Sequence, residues 1–92
     1  MLETKTNKYY VESGDLRVII EAECPLWAAV RALHYNQQRK PGILHVGDYC
    51  FVDERGFRKG SFASHHIKTM QAYDILAEDI VPFITKEDKD EN

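Results

Sequence analysis

Cysteine is scarce in this chain: Cys24 and Cys50 are the only two among 92 residues. Two cysteines without Cys-x-x-Cys spacing build no disulfide framework, so two reduced thiols are expected, with a single bridge as the remaining option. No run of about 18 apolar residues is present to cross a bilayer, and Met1 to Tyr10 is too polar for a secretory leader. A cytosolic protein without a membrane partner is the expectation. An excess of positive charge is also missing, because 12 Lys and Arg stand against 15 Asp and Glu, a net charge of −3. That balance argues against broad electrostatic capture of nucleic acid. Neither a Gly-x-Ser-x-Gly elbow nor a Gly-rich phosphate loop occurs, which removes two familiar routes to catalysis.

What is present suits one small domain. The apolar fraction of 43% is ordinary for a globular chain, and this length falls within the size of a single domain. Residues 1–85 read as that domain. Residues 86–92 read as a disordered acidic tail, since four acids and two lysines there offer no apolar group to repay ordering.

Tyr9 to Glu12 and Leu16 to Glu21 are rich in aromatic and β-branched residues and flank Ser13-Gly14-Asp15, a hairpin pattern. Leu16, Val18 and Ile20 alternate with Arg17, Ile19 and Glu21, so the first three should face a core. Pro25 suits the first turn of a helix running to about Gln38, with Leu26, Ala29, Val30 and Leu33 on its buried stripe. Ile43 to Val46 and Tyr49 to Val52 are strand-like on either side of Gly47-Asp48, which is either a hairpin turn or a bulge in one long strand. Phe57 to Ile67 is the least readable stretch, a loop leading to a short strand. Thr69 is placed to cap a second helix from Met70 to about Glu78 that buries Ala72, Tyr73 and Leu76.

The expected class is α+β: a small antiparallel or mixed sheet with two helices on one side, in approximate order ββαββα. Gly14 to Glu21 and Gly47 to Glu54 echo one another. Either two ββα halves or shared turn chemistry accounts for this.

The run Gly14-Asp15-Leu16-Arg17-Val18-Ile19-Ile20-Glu21-Ala22-Glu23-Cys24-Pro25-Leu26-Trp27-Ala28-Ala29-Val30-Arg31-Ala32-Leu33 resembles the strand, acidic corner, proline and Ala-rich helix of small bacterial proteins of unknown function. The resemblance covers about a fifth of the chain. It implies a ββα-containing domain and brings no activity or site residue with it.

Candidate chemistry is sparse. His65-His66, with His34, His45, Cys24 and Cys50 as further donors, has the residue types of a metal site. Adjacent histidines point to opposite sides of a strand, however, so no metal is expected. Cys50 with His45 and Asp48 or Asp53 has the residue types of a thiol nucleophile, but it sits among Tyr49, Phe51 and Val52, where a cysteine is a small apolar residue. No catalytic residue and no cofactor are assigned, and a small hydrolase or thiol enzyme ranks third.

Two surfaces remain. Trp27, Arg31 and His34 share a flank of the first helix, and Trp and Arg favour interface centres. The leading reading is therefore a non-enzymatic protein-interaction module binding a protein partner or a second copy. Trp27 equally suits sealing the monomer core. The alternative is a nucleic-acid-associated regulatory domain using Arg55, Phe57, Arg58 and Lys59, a loop with positive charge and one ring.

Overall fold

The computed structural model describes residues 6–58 and 60–78. Two long strands, β1 (Asn7–Ser13) and β2 (Leu16–Ala22), precede a 13-residue helix, α1 (Pro25–Gln37), and then come β3 (Tyr49–Asp53) and β4 (His65–Lys68). A second helix, α2, follows over residues 69–78. The fold is α+β, an antiparallel sheet in the order β2-β1-β3-β4 with helices on one side.

The β1–β2 hairpin forms because Gly14 takes a φ of 58° in a two-residue turn that no other residue type enters cheaply. A side chain there would also strike the His45 carbonyl oxygen, 2.6 Å from an ideal Cβ. Register follows from the alternation: Val11 lies opposite Val18 and Val52, and Cys50 opposite Ile67. These residues face the helices. The other face carries Tyr10, Arg17, Ile19, Tyr49, Phe51 and His66.

Helix α1 starts at Pro25 with the Ala28 amide donating to the Cys24 carbonyl at 3.0 Å. Its buried residues are Ala28, Ala29, Val30, Ala32, Leu33 and Asn36. Leu26, expected on the core stripe, is only half-buried, and Trp27 packs against the core instead. Three small alanines let the helix settle on the sheet, where it lies chiefly over β2. Ala72 and Leu76 of α2 complete the same core, with Tyr73 partly buried beside them.

Two expectations are corrected. Residues 43–46 are not a strand. The Leu44 amide and carbonyl are instead both bound by the side chain of buried Asn36, at 3.0 Å each, and the His45 carbonyl accepts from the Asp15 amide. Backbone groups satisfied by a side chain and a turn are not free for a ladder. Thr69 does not cap α2 with its hydroxyl, which donates to the Gly47 carbonyl at 2.7 Å. The internal echo pairs β2, an edge strand, with β3, an interior one, so the matching stretches hold different places in the sheet. The tail at 86–92 and the domain limit at 85 lie outside the described residues.

Candidate functional site

The loop between β3 and β4 is organised by Asp53. Its carboxylate is fully buried and accepts from the Arg55 amide, Nε and Nη2 and from the Ser64 amide and hydroxyl, all between 2.7 and 2.9 Å. The Arg55 guanidinium, helped by these other donors and opposed by burial, holds the carboxyl far below the usual carboxylate range. Arg55 thus spends its charge within the loop. Phe57 packs edge-on against Tyr10, with ring centroids 5.2 Å apart, and lies beneath the Arg17 guanidinium at 4.6 Å. Arg58 is exposed, and Lys59 lies outside the described residues. Among the described residues of the nucleic-acid alternative, Arg55 is paired with Asp53 and Phe57 is packed against Tyr10 and Arg17.

On α1, Arg31 donates from Nη1 to the Glu21 carbonyl at 3.0 Å and pairs with Glu23 at 3.2 Å. His34 is half-buried. Arg31 thereby ties the flank it shares with Trp27 and His34 to the outer edge of β2.

That edge is the most distinctive surface of the fold, and the sequence reading passed over it. Among the described residues β2 pairs with β1 alone. Ser13 and Leu16 close the two-residue turn, so Leu16, Val18, Ile20 and Ala22 bond inward to β1 and the backbone groups of Arg17, Ile19 and Glu21 point outward. The Arg31 bond to the Glu21 carbonyl agrees with this direction. Ile19 is 53% exposed and Tyr35, on α1, 49%. Both line a shallow hollow of about 540 Å³ with Arg17, Val18, Ile20 and Phe57. The opposite edge, β4, has only four residues.

On the sheet face away from the helices, Tyr49 and Phe51 stack at 6.4 Å and His66 meets Phe51 edge-on at 5.4 Å. Lys68 lies opposite Tyr49. His65 and His66 take opposite faces of β4, and no cluster of three or more His, Cys, Asp or Glu among the described residues is arranged to hold a metal. Cys50 is buried against the Thr69 hydroxyl at 3.7 Å, and burial pushes its thiol up, opposed more weakly by hydrogen bonding with Thr69 and Ser13. No described helix is long and apolar enough to cross a membrane.

Comparisons with protein-family models, with curated proteins and with solved structures find no match. The resemblance to small bacterial ββα proteins is neither strengthened nor weakened by them.

Proposed function

We propose that this chain is a non-enzymatic protein-interaction module of the cytosol that works by adding a strand at β2. The observation that carries the reading is the row of outward backbone groups at Arg17, Ile19 and Glu21, centred on an exposed isoleucine. Edge strands are commonly blunted by shortness, proline, bulges, charged side chains or a covering segment, and of these β2 carries charges at Arg17 and Glu21. β2 is seven residues long, in regular register and without proline. An extended partner strand would gain main-chain hydrogen bonds there and side-chain contact with Ile19 and Tyr35. Catalysis has less to stand on, because Cys50 is buried and its thiol is pushed away from the thiolate form.

The test is a photo-reactive residue at position 19 or 35, with one at exposed Asp74 as control, in the cell that makes the protein. Protein adducts from 19 and 35 but not from 74 are expected. No protein adduct from either edge position overturns the reading.

A second reading, single-stranded nucleic acid on the sheet face away from the helices, draws on the Tyr49, Phe51 and His66 rings beside Lys68. It requires salt-dependent oligonucleotide binding that Phe51→Ala abolishes.

A further inference from the structure

We infer that the partner for which β2 is built is a second copy of this chain, paired antiparallel about a two-fold axis through Ile19. The inference rests on the strand-addition reading and names its occupant. β2 runs from Leu16 to Ala22, so Ile19 is its midpoint, and the outward-pointing residues 17, 19 and 21 are symmetric about it. Only groups that point outward can bond across a new ladder, and this register uses all of them. Ile19 then meets Ile19 of the second copy on the axis. Arg17 meets Glu21 of the second copy, and Glu21 meets its Arg17.

The charges select this arrangement over its neighbours. Parallel in-register pairing would set Arg17 beside Arg17 and Glu21 beside Glu21, and like charges placed opposite one another destabilise a sheet. A slip of two residues toward the turn would set Ile19 opposite Arg17 and take Glu21 away from its arginine. A slip of one residue would turn each side chain of one sheet against the wrong face of the other. Within β2, the centred register alone sets both Arg17 and Glu21 against an opposite charge and puts isoleucine against isoleucine.

Existing contacts are compatible with it. Arg17 is largely exposed while lying 3.8 Å from Glu12 and over Phe57, so its guanidinium can reach a further carboxylate. The Glu21 carbonyl takes one hydrogen bond from Arg31 and has a second lone pair for an amide of the second copy. Exposed Tyr35 stands on α1 beside the same edge, where α1 of the second copy would approach. Two four-stranded sheets would become one of eight strands, with both edges of β2 paired.

An axial residue faces itself, which gives a specific test by sedimentation and native mass spectrometry. The wild-type chain should dimerise. Ile19→Lys and Ile19→Glu should each weaken self-association roughly tenfold or more, and an equimolar mixture should recover a mixed dimer. Arg17→Glu and Glu21→Arg, alone and mixed, should behave likewise. Ile19 is half-exposed, so its variants should melt as the wild-type chain does at high dilution, and recovery on mixing itself reports folded chains. A wild-type chain that stays monomeric, variants that dimerise as well as wild type, or mixtures that recover nothing overturn the inference. Photo-adducts from position 19 to other proteins alone would leave strand addition standing while removing the second copy. Absence of any protein adduct removes both.

Discussion

Asp53 and Arg55, two residues apart, meet in a two-point pair, with Nε 2.9 Å from one carboxylate oxygen and Nη2 2.7 Å from the other. Because Ser64 binds the same carboxylate, Asp53 joins both ends of the β3–β4 connection. Asp53→Ala leaves these donors without their acceptor and should cost about 2 kcal/mol in denaturant unfolding. The pair also predicts a pH dependence. A carboxyl depressed in the folded state contributes stability that is present above its unfolded pKa of about 4 and is lost progressively as pH falls below it. Unfolding free energy should therefore drop from about pH 5 downward, more steeply in wild type than in Asp53→Asn. Equal acid slopes would show that Asp53 does not carry the effect.

This pair also marks a limit of sequence reading. Arg55 reads as a free cation because its charge is local information, whereas burial of Asp53 depends on Ser64 returning eleven residues later. The spacing Asp-x-Arg in a turn was the available signal. The hairpin, α1 and the core face of β2 were legible because alternation, a glycine turn and a proline start are local. Residues 43–46 have strand composition, yet their backbone partners, Asn36 and Asp15, are distant in sequence. That β2 pairs with β1 alone among the described residues follows from the order β2-β1-β3-β4, which no local pattern encodes. Once the edge is known, the symmetry of Arg17-Val18-Ile19-Ile20-Glu21 is visible in the sequence itself.

Asn36 acts as a substitute strand for Leu44, its amide filling one donor and one acceptor of the backbone at 3.0 Å each. Asn36→Ala should cost about 2 kcal/mol, since two part-buried backbone groups lose their partner. Proteolysis within residues 42–47 should become faster at the same time. A variant with wild-type stability and protection would contradict this role.

Cys24 is half-exposed, whereas Cys50 is buried and its thiol is pushed up by that burial. A thiol reagent should label Cys24 first in the native protein, with Cys50 following only as the fold opens. Mass spectrometry of digested, partly labelled protein separates the two. Equal labelling rates would place Cys50 at an open site.

Amide hydrogen exchange at Arg17, Ile19 and Glu21, followed by NMR across a dilution series, tests the edge-pairing claim most directly. These amides point away from β1, so they have no strand partner within one described chain. Pairing with a second copy should slow all three at high concentration and release them together on dilution, while Val18 and Ile20 stay protected throughout. Fast exchange of Arg17, Ile19 and Glu21 at every concentration, with Val18 and Ile20 protected, would contradict the β2-paired dimer.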